Sequence, residues 1–188
     1  MNITKTYVSK FLIGAAVLMA AFLSSCSNND YVKNIPNNCT ALLSVDAKRV
    51  EGVDGSGLLK KILPVEDVLS VGIDFKEKVY LFETVDGNIG LAAKIKNESD
   101  CTKNIDALVN SGVCTRPTKK ANISFVMIKN SWLVAYNSDA LMMVGPITVA
   151  ARPSVENFAI ACFRQEEEQS VMASKLYQRL DTIDAPIA

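Results

Sequence analysis

KVYLFETVDGNIGLAAKI, residues 78–95, carries the clearest structural signal in this chain. Two runs of β-branched and aromatic residues flank Asp86-Gly87, a pair favoured in the two-residue turn of a type I′ hairpin. Such a turn places Phe82 opposite Leu91. Because side chains alternate along a strand, the hairpin also has two distinct faces. We expect the core face to carry Ile89, Leu91, Ala93 and Ile95, and the opposite face Gly90, Ala92, Lys94 and Lys96.

Strand signals continue on both sides of this hairpin. TALLSVDA, residues 40–47, is short and apolar and predicts one further strand. ISFVMIKNSWLVAYNSDALMMVGP, residues 123–146, predicts a meander with turns at Asn130-Ser131 and Ser138-Asp139. Ser138 has a second interpretation as the cap of a helix.

Helix signals alternate with these strands. SGLLKKIL (56–63) begins at the capping residue Ser56, and SDCTKNIDALVNSG (99–112) begins at Ser99. Two more helices are expected, one from Pro153 and one in SKLYQRLDTID (174–184). The order β-α-β-β-α-β-β-β-α predicts an α+β fold, with an antiparallel or mixed sheet and helices packed on one face.

The amino end has the pattern of a secretory signal. A basic start is followed by an apolar run, residues 11–23, whose 13 residues fall short of the about 20 that span a membrane. LSSC, residues 23–26, then resembles the lipobox of bacterial lipoproteins, in which the cysteine thiol takes a diacylglyceryl group. We therefore expect lipidation at Cys26.

These signals divide the chain into three parts. We expect a lipoprotein signal peptide over residues 1–25, a lipidated tether over 26–38 and a single α+β domain over 39–188. Without its first 25 residues the chain carries 18 basic and 20 acidic side chains, a net charge of −2. That balance gives no basic footprint for nucleic acid. The expected partners are the membrane, through the lipid anchor, and an unidentified protein or glycan.

The residues that common catalytic sites require are missing. The chain has no histidine, which excludes Ser-His and Cys-His pairs and the commonest transition-metal ligand. Neither S-x-x-K nor C-x-x-C occurs. EGVDGSGLLKK (51–61) has the glycine spacing of a phosphate loop, but Leu58 and Leu59 stand where lysine and serine or threonine belong. The sequence thus predicts no catalytic residue, no cofactor and no metal site.

Four cysteines follow Cys26, and their redox state is open. An envelope location permits disulfides, and four thiols allow three complete pairings. The helix predicted between Cys101 and Cys114 would hold them about 15 Å apart, beyond the roughly 7 Å that a disulfide allows. We favour small buried apolar roles for Cys39, Cys101, Cys114 and Cys162.

Two other features have competing interpretations. A turn at residues 130–131 would place Phe125 opposite Tyr136, near Trp132. Such an aromatic group is either sheet packing, which we favour, or a platform for a sugar or a nucleic-acid base. EEE, residues 166–168, is either a solvated helix face, which we favour, or a cation site.

Several segments resemble an uncharacterised lipoprotein family of Bacteroidetes, a domain of unknown function. They include DYVKNIPNNCTALLSVDA (30–47), GIDFKEKVYLFETVDGNIGLAAKI (72–95) and YQRLDTIDAPIA (177–188). The resemblance implies an envelope location and an α+β fold, and it implies no reaction. DTI (181–183) also resembles an O-glycosylation pattern of Bacteroidetes, which makes Thr182 a candidate for modification.

Family members resembling this chain run past residue 188, so we expect the domain to be incomplete at its carboxyl end. APIA, residues 185–188, is apolar and extended around Pro186, as at the start of a strand. An unpaired sheet edge and an exposed apolar patch would follow.

The expected function is that of a lipid-anchored cell-envelope protein. Only Asp30 is acidic in CSNND (26–30), whereas outward export in Bacteroidetes is associated with acidic residues at this place. We therefore expect the periplasmic face of the outer membrane. A non-enzymatic binding or interaction module is favoured. The alternatives are a carboxylate-dependent hydrolase of the glycosidase kind and a structural part of a longer envelope lipoprotein.

Overall fold

An antiparallel sheet of seven strands lies at the centre of the part of the chain that the structure describes. The computed structural model describes residues 30–49 and 70–188. The strands are β1 (Ala41–Val45), β2 (Val79–Glu83), β3 (Ile89–Lys94), β4 (Thr118–Lys120), β5 (Ile123–Ile128), β6 (Trp132–Tyr136) and β7 (Ala140–Gly145). Their spatial order is β1-β2-β3-β7-β6-β5-β4, so β3 and β7 join two meanders.

Within residues 30–49 and 70–188, three α-helices and several 3-10 turns cover the sheet. The α-helices are α1 (Glu98–Asn110), α2 (Arg152–Arg164) and α3 (Lys175–Asp181). The 3-10 helices are Asp30–Asn34, Val149–Ala151, Glu167–Gln169 and Val171–Ala173. Among the described helices, none combines the length and the apolar character that crossing a membrane requires.

Each face of the sheet carries its own core. Leu91 and Ala93 pack with Ile105 of α1 on one face, whereas Ala92 packs with Ala159 of α2 on the other. The predicted α+β class and antiparallel sheet are confirmed. The expectation of helices on one face holds for α2 and α3 only, because α1 lies against the opposite face. Since β6 and β7 are buried at every residue, both of their faces need cover.

The β2–β3 hairpin forms, but its register differs from the prediction by one residue. Phe82 lies opposite Gly90, not Leu91. The loop has three residues, because the Gly87 N–H donates to the Thr84 carbonyl at 2.9 Å and Gly87 takes a left-handed φ of 75°. This geometry is that of a type I turn followed by a glycine bulge. The predicted core face is correct for Leu91, whereas Ile89 is 42% exposed.

The face of β3 opposite Leu91 is also buried. Gly90 and Ala92 are buried on the face of the sheet that packs against α2. We had expected only the opposite face, which carries Ile89, Leu91, Ala93 and Ile95, to be core. The aromatic ring of Phe82 occupies the space above Gly90. A glycine is therefore required here by close packing.

The β5–β6 turn also lies one residue earlier than predicted. Its central residues are Lys129 and Asn130, with φ of 49° and 55°, as a type I′ turn requires. Ile128 pairs with Trp132 across the three residues 129–131, and this register places Tyr136 opposite Ser124. The turn at Ser138-Asp139 is confirmed, and the Asn137 side chain accepts hydrogen bonds from two N–H groups of that turn.

One strand was missed by the sequence analysis. β4 pairs with β5 across Ala121-Asn122, two non-glycine residues with φ of 53° and 64°. All three residues of β4 are exposed, and two of them are lysines. Charged side chains on an edge strand oppose pairing with another chain.

The helices begin and end close to their predicted limits. α1 is capped by Asn97, whose side chain accepts from the Asp100 N–H at 2.8 Å, rather than by Ser99. Gly112, with φ of 74°, follows its end as predicted. In α3 the buried residues are Tyr177 and Leu180. Leu176 and Ile183, two apolar residues of the segment predicted as this helix, are 41% and 48% exposed.

Residues 30–38, expected to be part of a tether, belong to the folded structure. Val32 and Ile35 are fully buried in the core beneath α2. At the other end, the Ser44 N–H donates to the Ala188 carbonyl at 2.8 Å and the Ala188 N–H donates back at 3.1 Å. Residues 186–188 thus pair with β1 in extended form, as expected for APIA (185–188). Ile187, which forms a bridge to Val45, is 42% exposed.

Several predictions lie outside the described residues. They are the signal peptide over 1–25, lipidation at Cys26, the helix beginning at Ser56 and the loop EGVDGSGLLKK (51–61).

Candidate functional site

A cleft of about 170 Å³ opens beside the tip of the β2–β3 hairpin, and we call it the hairpin cleft. It is lined by Asn38, Thr84, Val85, Asp86, Asn88, Val144, Ser154, Val155 and Phe158. The hairpin loop, the end of β7 and the first turns of α2 therefore meet at one opening. Pro153 near the start of α2 fixes where that helix begins.

The hairpin cleft combines an apolar floor with a polar rim. Val144 and Phe158 belong to the core on this face of the sheet. Asn38, Asp86 and Asn88 line the rim, and within the described part of the chain their side chains make no hydrogen bond or ion pair. An apolar surface with a few unbonded polar groups is the usual composition of a small-molecule site.

A second cleft of about 230 Å³ is mainly polar, and we call it the charged cleft. It is lined by Asp46, Lys48, Lys76, Glu77, Lys78, Tyr80 and Asp181. Residues just after β1, just before β2 and at the end of α3 thus meet. Two tight turns position its lysines: the Asp46 carboxylate accepts from the Lys48 N–H at 3.2 Å, and Asp74 accepts from the Lys76 N–H at 3.0 Å.

Three tyrosines form a packed row behind the charged cleft. The ring centroids of Tyr31 and Tyr80 are 6.1 Å apart, and those of Tyr80 and Tyr177 are 6.2 Å apart. The Tyr31 hydroxyl donates to the Lys78 carbonyl at 2.7 Å. Burial, followed by nearby acidic and tyrosine groups, raises the pKa of Tyr31 and Tyr80 well above the ordinary range. These hydroxyls therefore remain protonated hydrogen-bond donors at neutral pH.

The aromatic residues singled out from the sequence do not form a ligand platform. Trp132, Phe125 and Tyr136 are 5%, 0% and 4% exposed. Phe125 packs on the face of the sheet opposite to the other two. The sheet-packing interpretation is confirmed, and the platform interpretation is wrong.

A buried carboxylate outside both clefts has a structural role. Glu156 of α2 is 3% exposed, accepts from Arg152 at 2.7 Å and forms an ion pair with Lys120 of β4. Burial raises the pKa of Glu156, but hydrogen bonds from Lys120 and Arg152 outweigh it and hold the pKa below its usual value. This group ties the edge strand to α2.

The four cysteines of the described residues are free thiols. Cys101 and Cys162 are buried, as expected for small apolar residues. Burial raises the pKa of Cys162 to about 12, and burial together with Glu98 raises that of Cys101 to about 11. Neither is a reactive thiolate at neutral pH.

Thr182, the candidate for O-glycosylation, is exposed at the end of α3, and its hydroxyl donates to the Arg179 carbonyl at 2.7 Å. The side chains of residues 166–168 are exposed, as a solvated surface requires, but they lie in and beside a 3-10 turn rather than on α2. In residues 30–49 and 70–188, no three His, Cys, Asp or Glu side chains are grouped to hold a metal ion.

Comparisons with protein-family models, with curated proteins and with solved structures found no match to this chain. The two clefts are therefore the features of the described residues that bear on function. Sequence reasoning missed both, since their lining residues come from segments far apart in the chain. The nearest local signal was Asp86, which was interpreted only as a turn residue.

Proposed function

We propose that this protein is a lipid-anchored module of the bacterial cell envelope that binds a ligand and catalyses no reaction. The resemblance of LSSC, residues 23–26, to a lipobox supports acylation of Cys26. The observation that carries the binding function is the hairpin cleft, with its apolar floor and three polar side chains that have no hydrogen-bond partner among the described residues.

The lining of the hairpin cleft indicates a ligand that bears several hydroxyl groups. Asn38 and Asn88 supply amide donors and acceptors, and Asp86 supplies a carboxylate acceptor. Phe158 offers an apolar surface to the carbon face of such a ligand. A single sugar ring, free or at the end of a glycan, has both kinds of surface.

Filling the hairpin cleft tests this proposal. Isotope-labelled full-length protein in a nonionic detergent is titrated with glucose, galactose, mannose and N-acetylglucosamine, and amide chemical shifts are followed. We expect saturable shifts at Asn38, Asp86 and Asn88 with at least one sugar. Ser154→Phe, on the cleft wall, should abolish them. Asn157→Phe, on an exposed part of the same helix, is the matched control and should leave them intact.

Two results would refute the binding proposal. One is the absence of saturable shifts with every sugar, and the other is unchanged shifts in Ser154→Phe. The anchor is tested separately by the intact mass and detergent partition of the protein from its own membranes, compared with Cys26→Ala. Protection of the protein when intact cells are treated with protease is the result expected for the periplasmic face.

A carboxylate-dependent hydrolase is the second candidate, because the charged cleft brings together Asp46, Glu77 and Asp181. Hydrolases of this kind hold one carboxyl group protonated, which apolar surroundings favour. Apart from Tyr80, the side chains that line the charged cleft are ionic and do not provide such apolar surroundings. A binding function is therefore better supported than hydrolysis. If the protein hydrolysed nitrophenyl glycosides and Asp181→Asn abolished that turnover, hydrolysis would become the favoured function.

A further inference from the structure

The charged cleft is lined by three lysines and three acidic residues. Ion pairs between two described residues include those of Arg49 with Asp184, Lys94 with Glu77, Lys103 with Asp100, and Lys120 and Arg152 with Glu156. None of these joins Lys48, Lys76 or Lys78 to Asp46 or Asp181. Ammonium and carboxylate groups that share one cleft without pairing remain available to a ligand that carries both charges.

The position of the charged cleft adds a second, independent observation. Tyr31 packs against Tyr80 of the cleft and donates to the carbonyl of Lys78. Only four residue steps separate Asp30 from Cys26, a reach of at most about 14 Å. If Cys26 is acylated, the end of the sheet that carries the charged cleft is held close to the lipid surface.

The two clefts lie at opposite ends of β2. Tyr80 lines the charged cleft and Thr84 lines the hairpin cleft. Four residues of extended strand separate them by about 14 Å. The chain enters the fold at the charged end and reaches the hairpin cleft only at Asn38. An anchored molecule would thus keep its charged cleft towards the membrane.

We infer that the charged cleft binds the phosphoethanolamine headgroup of a membrane phospholipid. Lys48 and Lys78 would donate to the phosphate, and Asp46 and Asp181 would accept from the ammonium. The choice of a lipid headgroup rather than a free zwitterion rests on the proposed lipid anchor. Attachment to the membrane raises the effective concentration of headgroups, so a weak intrinsic affinity suffices.

The test uses a soluble headgroup so that its result is independent of acylation. Full-length protein in a nonionic detergent is titrated calorimetrically with glycerophosphoethanolamine, with glycerol 3-phosphate and with glycine. We expect glycerophosphoethanolamine to bind tightest, since only this ligand pairs an ammonium with a phosphate. The double variant Lys48→Gln/Lys78→Gln should bind it about tenfold more weakly or worse, as loss of a charge-assisted hydrogen bond implies.

Matched variants distinguish binding in the charged cleft from a general effect of lysine charge. Lys119→Gln removes an exposed lysine of β4, outside the lining of the cleft, and should leave binding unchanged. Asp181→Asn should remove the preference for glycerophosphoethanolamine over glycerol 3-phosphate. Vesicles of phosphatidylethanolamine should compete with the soluble headgroup, whereas phosphatidylglycerol vesicles should not.

Three results would overturn the inference. They are equal binding by wild type and Lys48→Gln/Lys78→Gln, an equal loss in Lys119→Gln, and glycine binding as tightly as glycerophosphoethanolamine. The last would identify a free zwitterion as the ligand. If the anchor proposal is wrong, Cys26 will carry no acyl mass. The titration with the soluble headgroup would not be affected by that outcome.

Discussion

Gly90→Ala should destabilise the protein, because Phe82 occupies the space that a side chain at this position needs. An added Cβ would lie 2.5 Å from Cε1 of the Phe82 ring and nearer still to two other ring atoms. Carbon atoms in ordinary contact are about 3.5–4.0 Å apart. The ring has little room to move, since Phe82 is 3% exposed within the core.

The expected magnitude combines two opposing effects. Overpacking a core costs about 1–3 kcal/mol, and replacing glycine by alanine returns about 0.4–1 kcal/mol through the unfolded chain. The free energy of unfolding should therefore fall by about 1–2 kcal/mol in Gly90→Ala. In a Phe82→Ala background, which itself loses about 3–5 kcal/mol, the same change should become neutral or stabilising.

Urea unfolding followed by circular dichroism measures this coupling in a double-mutant cycle. Gly87→Ala is the control: it has a φ of 75° but no atom within 4 Å of its added Cβ, so its cost should be the same with and without Phe82. Equal costs of Gly90→Ala in both backgrounds would show that Phe82 does not lie opposite Gly90, and the three-residue hairpin loop would be wrong.

Two further predictions concern buried titratable groups. Lys120 lowers the pKa of Glu156 in the folded state, so the contribution of Glu156 to stability is present above about pH 4.3 and is lost as pH falls through the folded pKa. Between pH 7 and pH 3 the urea midpoint should therefore drop more for wild type than for Glu156→Gln, and parallel curves for the two proteins would contradict this. Burial raises the pKa of Cys162 to about 12, so at pH 8 iodoacetamide should modify the half-buried Cys39 and Cys114 well before Cys162. Intact mass and peptide mapping measure the three rates, and equal rates in the native protein would refute the buried position of Cys162.

Local signals were sufficient for the elements whose determinants lie close together in the chain. The pair Asp86-Gly87 located the β2–β3 hairpin, and Gly112 located the end of α1. Pro153 marked the start of α2 for the same reason, because a fixed φ acts on its own turn. Each of these residues limits the backbone within a few positions, whatever the rest of the fold does.

Signals were ambiguous where two local arrangements had similar energy. Asp86-Gly87 suits both a two-residue turn and a three-residue loop with Gly87 in the bulge, and the choice shifts Phe82 from Leu91 to Gly90. The turn at Lys129 and Asn130 posed the same problem, since neither residue is glycine. In both hairpins the packing of whole side chains against the core decided the register.

The α+β class, the main hairpins and the absence of histidine chemistry could be predicted from the amino-acid sequence, because they depend on composition and on periodicity along the chain. The folded protein was needed to show that both faces of the sheet are covered and that Asp46 and Asp181 meet at one cleft. These features depend on long-range packing, in which residues more than a hundred positions apart become neighbours. No local propensity encodes which distant side chains share a surface, so the clefts could be found only in the folded protein.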